Sequence, residues 1–323
     1  MIYVWLILGF ILLIKGADYF VEGASDIAIR ARIPNLIIGL TIVAFGTSAP
    51  EAAVSITSAL KGQNDIAIGN VVGSNIFNLL IVVGIAAIIT PLQVQKSIIT
   101  KEFPFALLSS FILLILANDA IFQSTSLNTI SRGDGLILLV LFGIYMYYLI
   151  EIALNHRNST AEASITDNKG VEKEIRIGKS ILIAIGGLVG IIVGGQLVVD
   201  AASQIALTWG MSEKLVGLTI VAVGTSLPEL VTSIIAARKG KSDIALGNVI
   251  GSNIFNVFFI LGISSVIFPI EVNGAVFMDM IVLLIVSIIT YIFSITKVKI
   301  SKLEGSLLVL SYLCYMVFII IRN

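Results

Sequence analysis

The sequence predicts an all-α polytopic membrane protein: ten transmembrane helices in two inverted five-helix repeats, with helices broken at the bilayer midplane. Three observations carry that reading. The 323 residues are 57% apolar and only 12% charged, with a mean hydropathy of +1.05. The apolar residues run in stretches of about 20, the length that crosses a ~30 Å hydrocarbon core. The second observation is an internal repeat. At an offset of 178, Gly39–Asn78 aligns with Gly217–Asn256 without a gap, with 28 identities in 40 positions. Many of those identities fall on Gly, Thr, Ser, Pro, Glu, Asp and Asn, which hydropathy alone does not dictate. The third is the placement of the basic residues. With the N-terminus outside, inner segments hold 15 Lys and Arg and outer ones hold 4, as the positive-inside rule requires.

Taken in order, the spans fall near 2–22, 36–60, 66–90, 102–119, 134–153, 179–200, 214–237, 244–268, 276–295 and 304–321. The segment Met1–Phe20 lacks a basic leader and a small-residue cleavage site, so it reads as the first span. Residues 154–178, polar and charged, form a linker between halves 1–153 and 179–323. Five spans per half is odd, so the second half enters the membrane from the opposite side, placing both termini outside and the linker in the cytoplasm. Inverted repeats are an architecture of secondary transporters. Lys15 is expected to snorkel or to pair with Asp18 or Glu22. Asp65 and Asp243 are expected to cap the next helices. Cys314 is read as a packed thiol and His156 as a loop residue.

The chemistry sits in "GTSAPE" (46–51) and "GTSLPE" (224–229). A carboxylate at mid-bilayer costs roughly 2.5–3.5 kcal/mol or more unless it faces a cavity or a partner. No Lys or Arg lies at that depth in either span, so Glu51 and Glu229 read as two halves of one site of charge about −2. Thr47 and Ser48 precede Glu51 by four and three residues, the spacing that shares a helix face. Thr225 and Ser226 repeat this before Glu229. Hydroxyls and carboxylates suit calcium, magnesium or sodium rather than soft metals. Pro50 and Pro228 cannot donate to the carbonyl four residues back. With Gly46 and Gly224 they break the helix and release carbonyl ligands. A second element, "GNVVGSNIFN" (69–78) and "GNVIGSNIFN" (247–256), places Ser74 with Asn78 and Ser252 with Asn256 on one helix face. Its GxxxG glycines permit close helix approach. Asn75 and Asn253 fit either helix–helix bonding or the site.

These paired motifs resemble the two alpha-repeats (39–78 and 217–256) of the sodium/calcium exchanger family, over the full chain. The resemblance implies an antiporter, not an enzyme, that exchanges sodium for calcium by alternating access. It implies calcium on Glu51, Glu229, Thr47 and Thr225. It implies sodium on those four groups together with Ser48, Ser226, Ser74, Ser252 and the backbone carbonyls of Ala44 and Ala222. It implies that Asn78 and Asn256 line the central position. By the same resemblance the first and sixth spans are expected to slide against the rest, helped by Gly16 and Gly194. Partners are the bilayer and the transported ions, with no cofactor, nucleic acid or required protein partner. A compact prokaryotic-type member in the cell's inner membrane fits the short loops. Two departures matter. Asn256 stands where many members carry aspartate, which argues against potassium co-transport, whereas Ala49 echoes potassium-dependent members. The proton is the competing coupling ion, since two buried carboxylates can titrate. An intramembrane aspartyl protease needs two carboxylates sharing a proton, but not the duplicated Thr, Ser and Asn oxygens. A channel would pass net flux without a counter-ion.

Overall fold

A computed structural model describes residues 2–119, 128–166, 177–210 and 222–322. The chain is a predominantly helical polytopic membrane protein. The helices are α1 (Ile2–Ala31), the bent pair α2 (Asn35–Thr47) and α3 (Ala49–Leu60), α4 (Asp65–Ile89), α5 (Ile98–Leu116) and α6 (Arg132–Thr166). After them come α7 (Ile177–Thr208), α8 (Leu227–Arg238), α9 (Ser242–Ile267), α10 (Gly274–Ile295) and α11 (Lys302–Arg322). Among the described residues, eight helices are long and apolar enough to cross a membrane, or nine if α2 and α3, bent by 50°, count as one span. The expected span 214–237 lies partly outside the described residues.

Several helices outrun their apolar stretches. α1 continues to Ala31 and stops where Arg32 takes φ 56°, two residues before Pro34. α7 runs to Thr208, and α6 runs past residue 153 to Thr166. Hydropathy marks where lipid ends, whereas a helix ends at a stop signal, and none intervenes. His156 therefore lies on α6, not in a loop, with Nδ1 3.2 Å from the Arg32 carbonyl oxygen. Cys314 is exposed rather than packed, on a face of α11 shared with exposed Leu310, Val317 and Ile321. Asp65 and Asp243 do not cap their helices. The N-cap positions fall on Gln63 and Lys241, the aspartates sit in the first turn, where the helix dipole favours them, and Asp243 accepts a bond from Gln95 Nε2 at 2.6 Å.

The fold is not wholly helical. Leu92–Gln93 (β1) pairs antiparallel with Lys299–Ile300 (β4), and Thr129–Ile130 (β2) with Ile270–Glu271 (β3). Each two-residue ladder ties one half of the chain to the other. Directly after β2 and β4 the next helices start with capping boxes. Asp134 Oδ2 accepts from the Ser131 backbone N–H at 2.8 Å, and Glu304 Oε2 from that of Ser301 at 2.7 Å. The ladders thus hold the starts of α6 and α11 against the opposite half.

α1 and α7 lie along one another at backbone distance. A Cβ built on Gly16 would fall 2.7 Å from the Gly187 carbonyl oxygen, one on Gly23 2.7 Å from the Ala184 nitrogen, and one on Gly194 2.5 Å from the Leu13 nitrogen. Small residues allow such approach in a bilayer, where packing rather than hydrophobicity associates helices. α1 also meets α8 through Lys239, whose Nζ lies 2.7 Å from Asp18 Oδ1 and 4.0 Å from Glu22 Oε2. The partner of these acids is thus a lysine from the other half, not Lys15.

Candidate ion-binding site

The helix breaks set the site. Ser48 and Ser226 leave helical geometry, with ψ near 6° in both, and Pro50 and Pro228 each stand in the first turn of the helix that follows. The break therefore falls at the serine, and Gly46 stays helical. A Cβ on Gly46 would meet Leu188 at 3.1 Å and Phe20 at 3.2 Å, so this glycine serves packing. Gly224 is closed in the same way by Val199. A carboxylate in the first turn after such a break sits at the positive end of the new helix, the position of both Glu51 and Glu229.

Both glutamates are fully buried. Glu51 Oε1 accepts from Ser226 Oγ at 3.0 Å and from Ser74 Oγ at 3.2 Å. Glu229 Oε1 accepts from Ser48 Oγ at 2.9 Å and from Ser252 Oγ at 3.4 Å. Each break serine thus reaches across to the other half's carboxylate. Ser74 and Ser226 are 2.8 Å apart. Thr47 Oγ1 donates to Asn248 Oδ1 at 3.0 Å, and Thr225 Oγ1 to Asn70 Oδ1 at 3.5 Å. The serine–glutamate and threonine–asparagine bonds between halves each have their counterpart at an offset of 178. The Ala44 carbonyl gathers the Ser48 N–H at 2.9 Å with the Thr47 and Ser252 hydroxyls at 3.3 Å. Ala222, its counterpart, opens the single helical turn Ala222–Gly224.

Asn78 and Asn256 lie one turn beyond Ser74 and Ser252, each opening a π-helical turn, Asn78–Val82 and Asn256–Leu261. Such turns are frequent at functional sites. Asn78 Nδ2 donates to Asn253 Oδ1 at 3.1 Å, and Asn256 Nδ2 to Asn75 Oδ1 at 3.0 Å. Asn75 and Asn253 also donate to each other's backbone carbonyls, at 3.1 and 3.3 Å. They are the bolt between α4 and α9. Within this cluster four buried oxygens have no hydrogen-bond partner: Glu51 Oε2, Glu229 Oε2, Asn78 Oδ1 and Asn256 Oδ1. They form two counterpart pairs. An unpartnered buried carboxylate oxygen is costly, so this set is chemically suited to a cation.

Sequence reasoning gave no site role to four further residues. Asn70 Nδ2 donates to Ser55 Oγ at 2.9 Å and to the Glu51 carbonyl at 3.3 Å. Asn248 Nδ2 makes the same bonds to Ser233 at 2.9 Å and to the Glu229 carbonyl at 3.4 Å. Each amide thereby fixes its own half's glutamate-bearing turn and receives the opposite half's threonine. Their signal was identity between the two repeats. Removing one leaves a buried carbonyl and two hydroxyls short of partners, at about 1–3 kcal/mol for a buried unsatisfied group. Asn248→Ala is accordingly expected to weaken binding of a hard cation at this cluster about tenfold, with Asn70→Ala similar, as read by titration calorimetry on the purified protein.

Gly247 and Gly251 pack against α2, where added Cβ atoms would fall 2.9 Å from the Leu36 oxygen and 2.6 Å from the Leu40 oxygen. The residues corresponding to this part of α2, 214–218, lie outside those described, and Gly69 and Gly73, with added Cβ atoms, would meet no described atom within 4 Å. They line a cavity of about 530 Å³ that reaches from Asp65, Asp279 and Arg322 to Asn70, Ser74 and Thr225. At its rim Arg322 is paired to Asp279 by two bonds of 2.8 and 2.9 Å.

Among the described residues no three His, Cys, Asp or Glu side chains group as a metal cluster. The site is two carboxylates among amide and hydroxyl oxygens, donors for hard cations. Fold and site together define a membrane protein with a buried, two-fold-repeated oxygen cluster. The chain belongs to the sodium/calcium exchanger protein family, whose model matches residues 1–151 and 179–321. It is 34% identical over 337 residues to the sodium/calcium exchanger MaX1 of Methanosarcina acetivorans, covering 97% of this chain and 96% of the relative. It is 38% identical over 287 residues to the inner membrane protein YrbG of Escherichia coli, covering 88% and 86%. Its fold matches a solved structure of the sodium-calcium exchanger NCX_Mj with a TM-score of 0.82 and 33% identity, covering 98% of this chain and 99% of that one.

Proposed function

We propose that the protein is a secondary antiporter that exchanges sodium for calcium across the cell's inner membrane, by alternating access between two inverted halves of five spans each. The halves are 1–153 and 179–323, with 154–178 in the cytoplasm and both termini outside. One observation carries the reading: four buried, unpartnered oxygens in counterpart pairs, two of them carboxylate, inside a bilayer. A single calcium ion neutralises the two acids. Sodium ions do so by engaging the same carboxylates with Ser48, Ser74, Ser226, Ser252, Thr47, Thr225 and the carbonyls of Ala44 and Ala222. Competition for shared ligands couples the two fluxes. Crossing without an ion would leave two unpaired carboxylates desolvated, which suppresses leak. The short linker and the Asn at both central positions favour a compact exchanger that needs neither potassium nor a calcium-sensing domain. The relatives MaX1 and NCX_Mj are named for sodium/calcium exchange, and YrbG for the inner membrane.

Sodium is favoured over the proton because six hydroxyls and two carbonyls surround the acids, ligands that a proton does not need. The test is calcium-45 uptake into proteoliposomes loaded with sodium, with potassium or choline at matched pH, or with a proton gradient alone. Uptake is expected only with internal sodium. Uptake driven by the proton gradient without sodium would transfer the same site to calcium/proton exchange.

A further inference from the structure

The repeat that builds the site also pairs charges at the faces of α1 and α7, and there the two halves differ. Lys239 follows α8, and its counterpart at an offset of 178 is Lys61, which follows α3. The acids that meet Lys239 are Asp18 and Glu22 of α1; their counterparts on α7 are Gln196 and Asp200. On one side the contact is made. Lys239 Nζ lies 2.7 Å from Asp18 Oδ1 and donates to the Asp18 carbonyl at 2.9 Å, while α1 packs along α8. On the other side it is open. Among the described residues Lys61 is exposed and makes no ion pair, and Asp200 is engaged by Gln196 Nε2 at 2.8 Å. Between α7 and α3 stands a cavity of about 590 Å³, lined by Pro50 and Val54 on one wall and Gln196, Asp200 and Ser203 on the other.

We infer that Lys239 and Lys61 are alternating latches on the paired helices α1 and α7. The inference rests on the alternating-access reading. Because α1 and α7 touch at backbone distance, they move together. A shift that closes α7 onto α3 draws α1 away from α8. Lys239 then releases Asp18 and Glu22, and Lys61 takes up Asp200, with Gln196 turning from Asp200 to the space the lysine leaves. One latch is closed in each end state and neither between them. The ion pairs are partly solvated, with side chains 29% and 38% exposed for Lys239 and Asp18, so each biases the equilibrium without locking it. The first latch has two acids and the second has one acid and an amide, so the pair sets an unequal resting population in favour of the state described here. This is a bistable element with a differential contact in each state, the requirement for any population shift.

The test uses the full chain in proteoliposomes with calcium on both sides, so that it does not depend on the coupling ion. In a Cys314→Ser background, Asp18→Cys with Lys239→Cys, and separately Lys61→Cys with Asp200→Cys, are treated with a short cleavable thiol crosslinker. The first pair is expected to crosslink readily at rest. The second is expected to crosslink more slowly, as the opposite state is visited, and to arrest calcium exchange until the link is cleaved. Adding Lys239→Met to the second pair should raise its crosslinking rate about threefold, the scale of a partly exposed ion pair. Failure of the second pair to crosslink in protein that still exchanges calcium would overturn the latch, as would a rate unmoved by Lys239→Met. If both pairs behave as expected but sodium does not drive uptake, the sodium-exchange reading falls and the latch stands.

Discussion

Glu51→Gln and Glu229→Gln are each expected to abolish calcium exchange, lowering uptake by about 100-fold or more. Glutamine keeps the shape and an acceptor oxygen, so the Ser74 and Ser226 bonds to position 51, and the Ser48 and Ser252 bonds to position 229, survive in form. What is lost is one of two charges in a buried site. Truncating one partner of a buried charge interaction costs about 3–5 kcal/mol, and every ~1.4 kcal/mol is tenfold in affinity. The halves are counterparts, so the two substitutions should match within a few-fold. A purely structural role for the acids predicts the reverse, since replacing a buried charge with no base beside it by a neutral amide would stabilise the fold. Calcium-45 uptake combined with thermal melting separates these outcomes. Unchanged exchange in both variants would remove the site from the mechanism.

How much of this was legible in the sequence depends on which physical signal each feature leaves. Glu51, Thr47, Ser48 and their counterparts were legible because they are expensive in lipid and occur twice. Asn70 and Asn248 were equally repeated, but an asparagine beside a GxxxG glycine reads as packing, and only the geometry gives them to the site. The helix break was legible from Pro50, yet its place at Ser48 was not. A proline fixes which carbonyl loses its donor; which residue leaves helical geometry depends on where Ser48 finds Glu229. The ends of α1, α6 and α7 were missed because hydropathy reports the bilayer edge. The π-helical turns at Asn78 and Asn256 depend on backbone hydrogen bonding, which hydropathy and motif spacing do not report. The Lys239 contact was missed because its acids lie in the other half of the chain, and the eye pairs Asp18 with nearby Lys15.

Gly16→Leu is expected to stop exchange while leaving the ion site assembled. The Cβ at residue 16 would fall 2.7 Å from the Gly187 oxygen and from the Ile191 nitrogen, and 2.9 Å from the Gly190 carbonyl carbon. All three are backbone atoms, so no side-chain rotation relieves the clash and α1 must part from α7. Overpacking of this kind costs about 1–3 kcal/mol or more, and it falls on the seam that joins the two helices. The site lies on other elements, α2, α3, α4, α8 and α9, held by bonds such as Ser48 to Glu229 and Asn75 to Asn253. Calcium binding measured by calorimetry should therefore stay within about threefold while the exchange rate falls about tenfold or more, with Gly16→Ala intermediate. Gly186 supplies the control: it is on α7, one residue before Gly187, but nothing lies within 4 Å of its added Cβ, so Gly186→Leu should exchange at the normal rate. Normal exchange in Gly16→Leu would show that α1 and α7 need not travel together. Loss of binding in step with exchange would show that the seam supports the site rather than its movement.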